Sequence, residues 1–188
     1  AVPAGQAITV PMVSSGLDHA VALMANGTVY SWGRNHVGQL GDGTTTNRSY
    51  PVQVVKSSGG ALTNIVAVAA GYNHSLALDR NGEVWAWGYS ANGECGATAN
   101  QSKAVKVNDL TNIGAITAGG NFSVAVRKND GAVWFWGVNK LSERRDNTGA
   151  VVGSFTAPQR LWAGASQNHG GSKIASISAT GNLELSNY

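Results

Sequence analysis

Three stretches of this chain repeat one pattern. A glycine stands three residues before a histidine or phenylalanine that opens a strand; an Asn/Gly turn follows, then a second strand ending Trp-Gly. The first copy runs from Gly16 through His19 and Asn26-Gly27 to Trp32-Gly33, and the second from Gly71 through His74 and Asn81-Gly82 to Trp87-Gly88. The third runs from Gly119 through Phe122 and Asn129-Asp130-Gly131 to Trp136-Gly137. From Trp32 to Trp87 is 55 residues, and from Trp87 to Trp136 is 49. A period near 50 residues belongs to propellers and other repeat arrays, in which each unit buries its faces only against its neighbours. Fold is thereby constrained much more tightly than function, because repeat scaffolds carry function on loops that vary freely.

Each copy reads as four short strands, from β-branched and aromatic runs between Gly and Asn punctuation. In the first copy they are Ile8–Val13, His19–Met24, Thr28–Trp32 and Tyr50–Val55. In the second they are Ile65–Ala70, His74–Asp79, Glu83–Trp87 and Ala104–Val107, and in the third Ile113–Ala118, Phe122–Lys128, Ala132–Trp136 and Thr156–Trp162. Asn26-Gly27 and Asn81-Gly82 predict two-residue type I′ hairpins, with φ > 0 at both central positions. Asn129-Asp130-Gly131 predicts the same turn lengthened by one residue. Thr180-Gly181-Asn182 marks a fourth, degraded copy, with Lys173–Ala179 as its second strand and Leu183–Tyr188 as its third. Its Trp-Gly has become Ser186-Asn187, as suits a terminal repeat that caps the stack.

Alternation along the second strands predicts the packing. His74, Leu76 and Leu78 share one face, and Ser75 and Ala77 the other; His19, Val21, Leu23 against Ala20, Ala22, and Phe122, Val124, Val126 against Ser123, Ala125 match them. One face is large and one small, and both are apolar, which suits a sheet held between two neighbouring sheets.

These residues resemble the repeats of the regulator of chromosome condensation family. The first copy is the fullest, with Gly38-Gln39-Leu40-Gly41-Asp42-Gly43 and Pro51–Val54 beyond its Trp-Gly. The second keeps Gly93-Glu94-Cys95-Gly96 as a decayed form of that loop, and the third replaces it with Lys140–Asp146. The resemblance covers roughly residues 7–188 and implies an all-β fold, a β-propeller of about four blades in a single domain. The repeats fall at residues 7–55, 64–108, 113–162 and 163–188. The family's propeller typically has seven blades. The chain is therefore expected to close a small ring, to form an arc covered by another protein, or to complete a ring with a second copy. Bare blade ends expose strand edges and apolar faces, so covered ends and an oligomer or larger assembly are expected.

Composition narrows the function classes. Charged residues make up 12% of the chain, about half the usual share of roughly 25%. The net charge is +3, and no run of Lys or Arg exceeds two, so the basic footprint of a nucleic-acid binder is missing. One cysteine, Cys95, excludes an internal disulfide framework and a cysteine zinc site. It reads as a bland loop thiol, with nothing nearby to lower its pKa. No apolar run approaches the ~18 residues that span a bilayer, so membrane insertion is not expected. The opening Ala1-Val2-Pro3 fits either methionine removal or signal-peptide cleavage. Asn-X-Ser/Thr sequons stand at Asn26, Asn47, Asn73, Asn100 and Asn121. Those in turns and core strands would seat a glycan badly, which favours a source without N-glycosylation, such as a bacterium or phage.

Among candidate site residues, His19 and His74 share a repeat position with Phe122, which favours packing and backbone bonds between blades over metal binding or catalysis. Trp32, Trp85, Trp87, Trp134 and Trp136 read as blade packing. The glycine-rich segment from Gly38 lacks the Lys-Ser/Thr of a phosphate loop and reads as a turn. Asp42, Glu143 and Asp146 are scattered acids and form no catalytic constellation. No catalytic, metal or cofactor residues are assigned. The charged segment with Lys140, Glu143, Arg144 and Arg145, together with Trp162, is the expected contact surface for protein subunits.

These readings favour a non-catalytic structural or interaction module. The expected setting is a bacteriophage virion, as head decoration, fibre or tail accessory, or a secreted bacterial surface; a cytoplasmic location is the alternative. An enzyme-inhibiting propeller and the guanine nucleotide exchange that the resemblance implies are the other functional alternatives.

Overall fold

A computed structural model describes residues 9–138 and 153–162, the last two through their backbone alone. Strands β1 (Met12–Ser15), β2 (His19–Leu23), β3 (Val29–Gly33) and β4 (Arg48–Gln53) form the first sheet. Strands β5 (Ile65–Ala70), β6 (His74–Asp79), β7 (Val84–Gly88) and β8 (Gln101–Lys106) form the second. Strands β9 (Ile113–Ala118), β10 (Phe122–Arg127), β11 (Val133–Val138) and β12 (Ser154–Trp162) form the third. Each sheet is an antiparallel meander in chain order, and the described residues contain no helix. Neighbouring sheets approach through their first two strands, β1 and β2 with β5, and β5 and β6 with β9. The described sheets make an arc and not a closed ring. The expected fourth copy, residues 163–188, lies outside the described residues.

The second strands fall where alternation places them, and β5, β6 and β9 match their expected bounds; the first strand of the first sheet lies at Met12–Ser15 and not at Ile8–Val13. The outer strands depart as well. The second fourth strand runs Gln101–Lys106 instead of Ala104–Val107, and only Ala104 in it is buried. An edge strand with one wet face carries little hydrophobic periodicity to read. Ladder irregularities between Ser31 and Gly33, and between Ala86 and Gly88, shift the pairing of the fourth strands further.

The hairpins differ from expectation in type. Asn26 and Asn81 are not at positive φ; only the glycines are, at 77° for Gly27 and 80° for Gly82. Gly27 N donates to Met24 O at 2.8 Å, and Met24 N to Thr28 O at 2.9 Å, which closes a three-residue loop with a glycine bulge. The Asn26 side chain makes this turn affordable in ordinary backbone space, since its Oδ1 accepts from Thr28 N at 3.1 Å. In the second hairpin Asp79 Oδ1 accepts from Asn81 N and Glu83 N.

Packing follows the strand alternation with one correction. Large and small faces hold for the second strand of each sheet alone. The third strand inverts them, because Trp87 and Trp85 pair with Ser75 and Ala77 and fill the side where β6 is small. Leu76, Leu78, Val84 and Ala86 of the second sheet bury against Ala125 and Trp136 of the third. Val21, Leu23 and Val29 of the first bury against Ala77 and Trp87 of the second. Burying a side chain the size of Leu76 contributes roughly 1.5–3 kcal/mol.

Candidate functional site at the sheet junctions

The residues that could do chemistry converge on the two junctions between sheets. At the first, His19 Nε2 lies 2.8 Å from Ser75 Oγ of the next sheet. Ser75 Oγ donates onward to the Gln39 carbonyl at 3.3 Å, and Trp87 Nε1 donates to that same carbonyl at 2.9 Å. The second junction repeats the arrangement one copy later. His74 Nε2 lies 3.0 Å from Ser123 Oγ, which donates to Glu94 O at 2.8 Å, and Trp136 Nε1 donates to Glu94 O at 2.9 Å. Because each serine spends its proton on the carbonyl, it accepts from the histidine, which places the imidazole proton on Nε2. The expectation of an inter-blade histidine holds; a serine side chain is the shared partner, and at the second junction the Phe122 backbone of the next sheet also bonds the His74 ring.

The glycines three residues before each ring explain the rest of the motif. A Cβ on Gly71 would stand 2.2 Å from His74 Cε1 and 2.5 Å from the Gly119 carbonyl. A Cβ on Gly119 would stand 2.1 Å from Phe122 Cζ. The ring lies flat over the bare backbone, and an aromatic of either kind fills the same place.

The glycine-rich loops are the third component. Gly38-Gln39-Leu40-Gly41 reads correctly as a turn, yet its role is to carry the shared carbonyl into the junction. Buried Asn35 holds it: its Oδ1 accepts from Leu40 N, and its Nδ2 donates to Asp42 Oδ1 and to the Thr44 and Thr46 carbonyls. Gly38 has φ 85°, and a Cβ there would meet Ser102 Cα of β8 at 2.6 Å, so the loop lies directly on the next sheet's outer strand. Gly93 does the same on Thr156 of β12. The decayed second loop is thus mechanically intact. Sequence reasoning missed this partnership because His, Ser and loop belong to different copies; the signal was the recurrence of serine after histidine in the second copy and after Phe122 in the third.

Burial sets the electrostatics. It lowers the His19 pKa to about 4, against a smaller raising by Asp18. It lowers that of His74 to about 3, with the His19 charge adding to the effect. His19 Nδ1 is buried without a partner among the described residues. Burial also pushes the Cys95 thiol well up, and its Sγ donates to Tyr89 O at 3.4 Å. Asp42 is drawn below the usual carboxylate range: burial opposes the shift, and hydrogen bonds from Thr44, Arg48 and Asn35 outweigh it. Each of these groups is engaged in holding the scaffold.

Trp87→Phe keeps an aromatic side chain, removes the indole donor from the buried Gln39 carbonyl and leaves a small void. We expect a loss of about 1–2 kcal/mol in urea unfolding, with Trp136→Phe similar. Two variants of unchanged stability would remove the shared carbonyl from the account.

Of the expected contact residues, Lys140, Glu143, Arg144 and Arg145 lie outside the described residues, as do Glu143's companion acid Asp146 and the side chain of Trp162. Among the described residues, the exposed large apolar side chains gather elsewhere. Val10, Met12, Val13, Leu17, Met24 and Tyr50 all belong to the first sheet and its flanks; Tyr72 alone belongs to the second.

Comparison with known proteins agrees with this geometry. A family model described as the regulator of chromosome condensation (RCC1) repeat matches residues 26–78 and 81–126, and a second of the same description matches residues 65–94. Protein pim1 of Schizosaccharomyces pombe is 34% identical over 134 residues, covering 66% of this chain and 24% of pim1. The ultraviolet-B receptor UVR8 of Arabidopsis thaliana is 29% identical over 146 residues, covering 76% of this chain and 32% of the receptor. The chain spans about a third or less of these curated relatives. Among solved structures, human WBSCR16 superposes with a TM-score of 0.67 at 26% identity, over 80% of this chain and 39% of that one. Yeast RCC1 (Prp20), solved bound to Kap60, gives 0.66 at 23% identity, over 90% and 39%.

Proposed function

The chain belongs to the regulator of chromosome condensation (RCC1) repeat family, and on that premise we propose that it is a non-catalytic protein-interaction module that works within a larger assembly. The observation that carries this reading is the first sheet. Its outward side exposes Val13 by 65%, with half-buried Ala20, Ala22, Tyr30 and Trp32 beside it. The matching residues of the second sheet, Ala77 and Trp87, are fully buried by a neighbour. An apolar surface of this kind marks a contact site. Among the described residues, His19, His74, Ser75 and Ser123 are spent in the junctions, and binding is the work the exposed surface supports.

A partner should be captured by the immobilised chain in saturable fashion, and Val13→Lys should weaken that capture at least about tenfold while leaving the unfolding midpoint nearly unchanged. Capture that survives Val13→Lys and fails on replacing Arg144 and Arg145 with Ala would transfer the role to the charged segment. A virion subunit is the finer form of this proposal. It is supported by the low charge, the glycine and asparagine content and the sequons, and co-sedimentation with phage particles tests it.

A further inference from the structure

The open side of the first sheet differs from its covered counterparts at the position that meets the histidine of a neighbouring sheet. Where the second and third sheets present Ser75 and Ser123, each cross-strand from a tryptophan, the first presents Ala20 cross-strand from Trp32. The tryptophan is kept and the hydroxyl is lost. Trp87 and Trp136 are fully buried and each donates to a carbonyl from the preceding sheet's glycine loop. Trp32 is half-buried, and its Nε1 finds no acceptor among the described residues.

We propose that this face receives another four-stranded sheet of the same repeat, and that Ala20 selects one carrying a hydrocarbon ring or chain where the first two sheets carry histidine. The argument is the chemistry of the two closed junctions. A histidine arriving opposite Ser75 or Ser123 has an acceptor for its Nε2–H. A histidine arriving opposite the methyl group of Ala20 loses that hydroxyl, and a buried donor that loses its hydroxyl acceptor carries a desolvation cost. A phenylalanine arriving there carries no such cost. That substitution already occurs in this fold: Phe122 takes the histidine position in the third sheet and lies over Gly119 as His74 lies over Gly71. Trp32 supplies the anchor, its indole donating to a backbone carbonyl of the incoming sheet's glycine loop. Phe122 itself is 6% exposed, so the occupant is a separate sheet of this type and not the third sheet of a second copy as it stands.

This inference rests on reading the open sheet as a contact surface; partner capture by the unextended chain tests that reading separately. The test here supplies the sheet. A chain in which residues 1–63 are followed by residues 9–188 continues the 55-residue step from Gly16 to Gly71 through the graft. It is made with His or Phe at position 19 of the added copy, and with Ala or Ser at position 20 of the original first sheet. With Ala20 in place, the Phe form should unfold at a higher urea midpoint than the His form, by about 0.5 M or more; with Ala20→Ser the order should reverse. In all folded forms the indole proton of the original Trp32 should exchange as slowly as those of Trp87 and Trp136. Equal midpoints for His and Phe opposite Ala20 would overturn the selection. An extended chain that fails to fold, or folds with the Trp32 indole unprotected, would overturn the docking. Self-association of the unextended chain by light scattering, lost on Trp32→Asp, would assign the face to a second copy and overturn it equally.

Discussion

Gly71→Ala should unfold much of the protein's stability with the addition of one methyl group. The new Cβ would stand 2.2 Å from His74 Cε1, 2.5 Å from His74 Nδ1 and 2.5 Å from the carbonyl oxygen of Gly119. The first two atoms belong to a ring that could in principle turn. The third is backbone of the next sheet, adjacent to Gly120, whose carbonyl accepts from Tyr72 N at 2.8 Å. Relief therefore requires separating two sheets at the point where their backbones are bonded to each other. Overpacking of a closed core costs about 1–3 kcal/mol, and parting a junction adds the loss of its hydrogen bonds, so a total of about 3 kcal/mol or more is expected. Gly153→Ala is the control: nothing lies within 4 Å of its added Cβ, and its change should stay within about 0.5 kcal/mol. Urea unfolding of the two variants checks both. His74→Ala in the Gly71→Ala background removes the ring but not the Gly119 carbonyl, so it should restore little; full restoration would mean the ring alone forbids the methyl.

The same glycine shows what a sequence of this kind discloses. Gly71 and His74 recur with Gly119 and Phe122, so their shared position was legible as packing before any geometry. The inner strands were legible too, since β6 is buried along its whole length and the ends of β5, β6 and β9 are set by glycine and asparagine. The junction was not. His19 and Ser75 stand 56 residues apart, and Gln39, whose carbonyl joins them, is 36 from Ser75. The first and second copies, read alone, each contain a histidine without a partner and a loop without a purpose; the bonds exist only between copies. The hairpin type was misread for a local reason: Asn-Gly fits a two-residue turn, yet Asn26 bonds Thr28 through its side chain and stays at negative φ while Gly27 takes the bulge. The exposed apolar set on the first sheet escaped notice because Val13, Ala22 and Trp32 match Val68, Ala77 and Trp87, which are buried in the next copy. Trp32 and Trp87 occupy the same repeat position, and only Trp87 is covered by a neighbouring sheet.

Mild acid should loosen the junctions before it titrates the carboxylates. His19 and His74 are neutral in the folded chain, with pKa values of about 4 and about 3, because burial disfavours their charged forms. In the unfolded chain each titrates near 6.5. Between pH 6.5 and about 4 the unfolded state therefore binds more protons than the folded one, and stability falls as pH falls. It is fully present above pH 6.5, and the His74 contribution goes on falling to about pH 3. One pKa unit corresponds to about 1.36 kcal/mol, so each junction stands to lose on the order of 3 kcal/mol across its window. Asp18 beside His19 opposes the loss there, whereas His19 adds to it at His74. The Asp42 carboxyl, held below its usual range, releases its own contribution only below about pH 4, so the histidines act apart from it between pH 6.5 and about 4. Phenylalanine is the informative replacement, since the third sheet already uses it over a glycine and Ser75 or Ser123 would keep its bond to the loop carbonyl. Urea midpoints followed from pH 7.5 to 4 should drop steeply in the parent chain, less in His74→Phe or His19→Phe, and least in the double variant. A double variant as acid-sensitive as the parent would place the sensitivity outside the junctions.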